Sequence, residues 1–145
     1  GMGTTLIVAL IDKEDMAVAH VGDSRLYLIR DRKIQQLTTD HSYIEELVRK
    51  GSLTRAEAQK HPQKNIITRA IGCFPEIEVD VLNFKIKKND IFLICTDGLT
   101  NMLSDNEIYS MVVNENPETA CRKLVKAAIE KGGEDNITVI VIECE

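Results

Sequence analysis

Residues 16–29 read Met16-Ala17-Val18-Ala19-His20-Val21-Gly22-Asp23-Ser24-Arg25-Leu26-Tyr27-Leu28-Ile29. Two short β-prone runs flank the turn residues Gly22-Asp23-Ser24, a pattern that predicts two strands joined as a hairpin. The same texture continues on both sides. Upstream, Thr4 to Ile11 is apolar at nearly every position, which predicts a strand buried on both faces, and the polar Asp12-Lys13-Glu14-Asp15 turns the chain back. Downstream, the charged turn Arg30-Asp31-Arg32 leads into Lys33 to Leu37, which ends the meander. Strands buried on both faces need cover on both sides, and two packed sheets supply it.

Beyond Leu37 the signals turn helical. Ser42-x-x-Glu45 and Thr54-x-x-Glu57 have the spacing of capping boxes, in which side chains satisfy the free amides of a first helical turn. Gly51 separates the two short helices, and His61-Pro62 ends the second before a polar loop through Asn65. Val79 to Ile86 alternates as a strand, and Ile91 to Cys95 reads as a buried strand that stops at Thr96-Asp97-Gly98. Ser104-x-x-Glu107 opens another helix. Asn116 is a good N-cap with Pro117 behind it, and Cys121, Leu124, Val125 and Ala128 follow at helical spacing until Gly132-Gly133. Ile137 to Ile142 is a last apolar strand. The order predicts an α+β fold of two packed antiparallel sheets flanked by helices.

Composition narrows the function. A chain of 145 residues suits one domain, and 18 basic against 23 acidic residues give a net charge of −5. Lys85, Lys87 and Lys88 read as a solvated turn, so no basic stripe points to nucleic acid. No apolar run approaches the roughly 20 residues that span a bilayer, and no signal peptide is present, so the expectation is a cytoplasmic protein without a membrane partner. Four scattered cysteines, none in a C-x-x-C pair, agree with a reducing compartment.

Three aspartates share one kind of position, a glycine-containing turn beside an apolar strand: Asp23 after Gly22, Asp97 before Gly98, and Asp135 after Gly132-Gly133-Glu134. Each alone is an ordinary turn residue. Together they offer carboxylates on a rigid scaffold, which is what hard cations such as Mg²⁺ or Mn²⁺ require. His20, inside an apolar strand, is expected to be packed and hydrogen-bonded. Asp40 reads equally as a helix cap or as support for a cleft, and Arg25 as a partner for a carboxylate worth little if exposed. The task of Arg69 is not readable from its neighbours.

Met2-Gly3-Thr4-Thr5, Ala19 to Arg25, Leu37-Thr38-Thr39-Asp40-His41-Ser42, Cys95-Thr96-Asp97-Gly98-Leu99 and Gly132 to Thr138 occur in one order. In this the chain resembles the metal-dependent protein phosphatase (PPM, type 2C) family in its compact bacterial form, over essentially all of Met2 to Glu143. The resemblance implies an α/β/β/α sandwich with a metal cleft at one edge. Asp97 and Asp135 match the family's metal-binding aspartates, Asp23 matches a ligand of a third, weaker metal, and Gly22, Gly98 and Asn136 belong to the loops of that site. The stretch 41–65 matches a flap beside the cleft. The implied activity is hydrolysis of phosphoserine and phosphothreonine in proteins by a metal-activated water, with two Mn²⁺ or Mg²⁺ ions and a third. The implied partners are phosphoprotein substrates of serine/threonine kinases in signalling.

The family's domain ordinarily begins well before Met-Gly-Thr-Thr, with an Asp-Gly-x-Gly-Gly-His segment and a phosphate-binding arginine. Residues 1–145 contain neither. The resemblance therefore implies a partial domain lacking its N-terminal strands and the bridging aspartate, inactive by itself and prone to self-association. The alternative is a phosphatase-like binding module without catalysis, against which the retention of Asp97 and Asp135 argues.

Overall fold

The structure is a computed structural model that describes residues 1–73 and 75–145. In chain order its elements are β1 (Leu6–Asp12), β2 (Asp15–Val21), β3 (Arg25–Arg30), β4 (Lys33–Gln36), α1 (Tyr43–Arg49), α2 (Arg55–Lys60), β5 (Asp80–Lys85), β6 (Ile91–Cys95), α3 (Asp97–Thr100), α4 (Asp105–Val112), α5 (Pro117–Glu130) and β7 (Val139–Glu143). They form two antiparallel sheets, one in the order β1-β2-β5 and the other in the order β4-β3-β6-β7. The α+β class and the two-sheet packing expected from the sequence are both present.

The chain does not make a hairpin at Gly22-Asp23-Ser24. β2 pairs with β1 and β5, whereas β3 pairs with β4 and β6, so this turn carries the chain from one sheet into the other. Two causes are visible. Each strand has an antiparallel partner elsewhere, β1 reached through the tight Lys13-Glu14 turn and β6 reached from far along the chain. Gly22 also sits at φ +115° against Thr5, just ahead of β1, where a Cβ would come 2.3 Å from Thr5 Cγ2. Only glycine permits that approach.

β1 also departs from its expected double burial. It is an edge strand, and Leu6, Val8 and Leu10 on its outer face are exposed, because no layer among the described residues covers that side of the sheet. The doubly buried strands are β3 and β6, in the middle of the stack. On one side Leu26, Leu28 and Phe92 pack against Met16 and Val18 of β2. On the other, Tyr27, Ile29, Leu93 and Cys95 meet Leu99, Ile108, Val112 and Leu124 from the helices. Each such side chain, fully withdrawn from water, contributes about 1.5–3 kcal/mol.

The helix starts follow from their caps. Thr54 with Glu57 and Ser104 with Glu107 form complete capping boxes at α2 and α4. Ser42 accepts from the Glu45 amide at α1, but the Glu45 side chain turns to Arg55, so the expected box there is only half made. Asn116 caps α5, with Pro117 at its first turn. No helix among the described residues is long and apolar enough to cross a membrane.

α5 presents a buried face and an exposed one, and the contrast is testable. Leu124→Ala, at 0% exposure, is expected to destabilise the protein by about 2–5 kcal/mol in urea unfolding. Ile129→Ala, on the exposed face, is expected to change stability by less than about 0.5 kcal/mol. Equal losses at the two positions would contradict the packing described here.

Candidate metal centre

The end of β6 is stitched to the start of β7. The Thr96 amide donates to the Thr138 carbonyl at 3.1 Å, and the Thr138 amide donates to Thr96 Oγ1 at 3.0 Å. The Thr96 hydroxyl in turn donates to the Asn136 carbonyl at 3.2 Å. Gly98 lies so close to that carbonyl that a Cβ would meet it at 2.3 Å. A side chain there would push the two loops apart, which explains the glycine beside Asp97. Asp97 opens the one-turn α3, and Asp135 bends back so that its Oδ1 accepts from the Asn136 amide at 2.7 Å.

Asp23 reaches the same end of the sandwich because of the crossover between the sheets. Ser24 Oγ and Thr5 Oγ1 lie 3.0 Å apart, and the Gly22 amide and carbonyl are both held by His41. Burial and then the charge of Asp97 push the Asp23 carboxyl up to about 6. Burial and then the charge of Asp135 raise Asp97 as well. Asp97 thus lies electrostatically between Asp23 and Asp135.

The neighbouring cation, Arg25, relieves this repulsion only in part, less than burial and the adjacent carboxylate oppose it. Arg25 is clasped by Asp40, with Nε to Oδ1 at 3.0 Å and Nη2 to Oδ2 at 2.7 Å, while Nη1 donates to the Tyr27 hydroxyl at 3.0 Å. Burial opposes the Arg25 charge, but the Asp40 hydrogen bonds outweigh it and raise its proton affinity. Asp40 is therefore neither cap nor bystander. Ser42 caps α1, and Asp40, braced by Gln36 at 2.8 Å, keeps Arg25 occupied. Arg25 does pair with a carboxylate, as the sequence suggested, and the pair is largely withdrawn from solvent. Among the described residues none of Asp23, Asp97 and Asp135 forms an ion pair with Lys or Arg.

Three carboxylates without a salt-bridge partner among the described residues, two of them raised in proton affinity, are a donor set that fits a hard divalent cation. Their arrangement is strung out, however. Among the described residues the one trio of donor side chains whose ligand atoms all lie within 4.8 Å of one another is His20, His41 and Asp80. His20 is fully buried and stacked on His41, but its two ring nitrogens have no hydrogen-bond partner, contrary to the satisfied histidine expected from its strand. Arg69, whose task the sequence left open, pairs with Asp80 and Glu78. A cavity of about 600 Å³ lies elsewhere, on the outer face of α5 beside Cys121, Val125 and Ile129, and shares no residue with the carboxylates.

The raised proton affinity of Asp23 has a consequence for stability. An acid whose folded pKa is about 6 against an ordinary 3.8 is a liability when ionised, so stability is gained as pH falls through about 6 toward 3.8. In protein freed of divalent metal, Asp23→Asn is expected to raise Tm by about 2–4 °C at pH 7. The difference should vanish near pH 4, where the wild-type carboxyl is protonated in the folded state. A lower Tm for the variant at pH 7 would show that Asp23 is not under repulsion.

Comparison with known proteins gives the family and the fold. The Protein phosphatase 2C family profile matches residues 1–137. Protein phosphatase PhpP of Streptococcus pneumoniae is 46% identical over 144 residues, covering 98% of this chain and 58% of the relative. The serine/threonine phosphatase PstP/Ppp of Mycobacterium tuberculosis superposes with a TM-score of 0.96 at 36% identity, covering 100% of this chain and 61% of its own. A structure of the PstP catalytic domain in complex with two manganese ions superposes at 0.90 and 32% identity, over 100% of this chain and 60% of that one. The chain spans about 57–59% of the length of the curated relatives it matches. With the ordered motifs, the two-sheet fold and the aspartates at one end of it, these matches establish that the chain belongs to the protein phosphatase 2C family.

Proposed function

We propose that the protein carrying this chain is a metal-dependent phosphatase that hydrolyses phosphoserine and phosphothreonine in other proteins. The observation that carries this reading is the string of carboxylates Asp23, Asp97 and Asp135, without a salt-bridge partner among the described residues, at one end of the sandwich. A related structure at 32% identity carries two manganese ions, and Mn²⁺ or Mg²⁺ suits an all-oxygen donor set. In this reading Asp97 and Asp135 hold the two central ions and Asp23 a third, with Gly22, Gly98 and Asn136 shaping the loops. When bound, such cations acidify water and neutralise phosphoryl charge.

The chain's own residues hold the carboxylates at separate points along one edge, so that charge can be neutralised at more than one place. Arg25, held by Asp40, forms no ion pair with any of the three and offsets their charge only in part. No residue of the chain is assigned as a covalent nucleophile. Three carboxylates are a sparse set for two or three dications, so residues 1–145 by themselves should hold Mn²⁺ only at about millimolar concentration and turn over little substrate. The exposed Leu6, Val8, Leu10 and Val81 favour self-association of the chain by itself. Residues 41–65 are the proposed flap for phosphoprotein substrates. Four free cysteines and the absence of a membrane-crossing helix among the described residues support a cytoplasmic setting.

The test is Mn²⁺-dependent hydrolysis of a phosphothreonine peptide by the protein as encoded. Asp97→Asn and Asp135→Asn are each expected to lower the rate about a hundredfold or more, since even the groups that merely support a ligand cost 10–100-fold. Asp23→Asn should instead raise the Mn²⁺ concentration required several-fold and leave the central pair occupied. Near-normal rates in either of the first two variants would remove that residue from the ligand set. A wild-type protein that binds Mn²⁺ but hydrolyses nothing would favour the binding-module alternative.

The flap makes a separate prediction. α2 has no buried residue, so deleting residues 54–60 should leave the fold intact. It is expected to slow turnover of a phosphoprotein several-fold more than turnover of a small aryl phosphate, which a cover of this kind never needs to grip. Equal losses on both substrates would contradict the assignment.

A further inference from the structure

At the base of the flap lies a constellation built on two buried histidines, His20 and His41, that the proposed chemistry does not use. The Gly22 amide donates to His41 Nδ1 at 3.0 Å, so that nitrogen carries a lone pair and the ring proton of a neutral His41 sits on Nε2. Nε2 lies 3.0 Å from Asp80 Oδ2, to which it donates. Arg69 Nη1 donates to the other oxygen of Asp80 at 3.0 Å, and a second Arg69 nitrogen pairs with Glu78 at 3.1 Å. Burial pushes the Asp80 carboxyl up, but the His41 hydrogen bond and the Arg69 pairing outweigh it and hold it below the usual range. Asp80 therefore stays an ionised acceptor, and the tautomer of His41 is held from both sides.

The same details argue against a cation here, although the ligand atoms of His20, His41 and Asp80 are close together. Coordination by His41 Nε2 would need its lone pair and would drive the proton to Nδ1, against the Gly22 amide. The Arg69 guanidinium, 3.2 Å from Nε2, already supplies the local positive charge. His20 has a different part. Its ring, kept uncharged by burial and the adjacent His41, stacks on His41 at a centroid distance of 4.7 Å and an angle of 28°. It forms a flat wall that sets the plane of the His41 ring.

His41 also closes a second contact with the same glycine, its own amide donating to the Gly22 carbonyl at 2.8 Å. Both backbone groups of Gly22 are thus held by one residue, at the point where φ is +115° and the chain crosses between sheets. His41 stands at the first position of the flap. The chain just beyond the flap's far end returns to it, with the Thr68 amide donating to the His41 carbonyl at 2.8 Å and Ser42 bridging to Ile67.

We infer that His41 is a positioning residue for Asp23. Through Nδ1 and its backbone it holds the Gly22-Asp23 turn so that Asp23 faces Asp97, and Asp80, Arg69 and the stacked His20 fix which ring nitrogen does so. The inference rests on reading Asp23 as a cation ligand. What it adds is the residue that sets that ligand's place.

Two substitutions separate the roles of the two ring nitrogens in the protein as encoded. His41→Asn can put an amide oxygen where Nδ1 was, so the Gly22 amide keeps an acceptor while the link to Asp80 is lost. His41→Gln reaches the Nε2 position and leaves the Gly22 amide bare. The readouts are the ring ¹⁵N shifts of His41, the exchange rate of the Gly22 amide, and the Mn²⁺ concentration that half-broadens the Asp23 amide signal. The expected wild-type ring is the Nε2–H tautomer. His41→Gln should speed Gly22 exchange about tenfold and raise the Mn²⁺ midpoint at Asp23 about fivefold, as the loss of one hydrogen bond allows, with the midpoint at Asp97 unmoved. His41→Asn should stay within about twofold of wild type on both, because the hydrogen bond to Gly22 is kept. Equal effects of the two variants, no effect of His41→Gln, or an Nδ1–H tautomer would overturn the inference. If Mn²⁺ leaves Asp23 untouched in the wild type, the cation reading fails, and the exchange rates alone still decide whether His41 holds the turn.

Discussion

Burial and the charge of Asp97 raise the proton affinity of Asp23, and burial and the charge of Asp135 do the same to Asp97. Like charges held near one another inside a fold are costly, and the rest of the structure can be understood as what keeps them there. The crossover at Gly22 delivers Asp23 to the edge of the sandwich. The threonine stitching between β6 and β7 sets Asp97 beside Asp135. Asp40 binds the side chain of the nearby cation Arg25, which offsets the repulsion only in part. Repulsion of this kind is what a divalent cation relieves, so a fold that bears the cost without metal recovers it on binding.

The local devices were legible in the residues because they act over three or four positions. The capping boxes at Thr54 and Ser104, the Asn116-Pro117 start of α5 and the Gly132-Gly133 stop all appear as read. So did the glycines, since Gly22 and Gly98 occupy places where a Cβ would strike Thr5 or the Asn136 carbonyl. Sheet membership was not legible. A Gly-Asp-Ser turn looks the same whether the next strand returns to its neighbour or joins another sheet, and the choice here is made by β5 and β6, which arrive some 60 residues later. The burial of β1 failed for a related reason, because a run of apolar residues reports what a strand can bury and not what covers it.

At the site the three aspartates were found from turn chemistry, and their loops from the glycines beside them. Of the supporting groups, Asp40 was legible only as one of two alternatives, and the tasks of Asp80 and Arg69 were not legible. The Arg69–Asp80, Arg25–Asp40 and His41–Asp80 contacts join residues 11, 15 and 39 positions apart, and no spacing rule connects them. His20 looked like an ordinary packed histidine. Its orphaned nitrogens and its stacking on His41 become visible only when the flap is folded against the crossover.

The most direct test follows Mn²⁺ through the protein by paramagnetic broadening of backbone amide signals in the protein as encoded. Broadening should begin in residues 96–98 and 134–137 and reach 22–24 at higher metal, while the amides of residues 69 and 80 keep their intensity. Broadening that starts instead around His20, His41 and Asp80, or that spares the loops of Asp97 and Asp135, would contradict a metal centre built on the three aspartates.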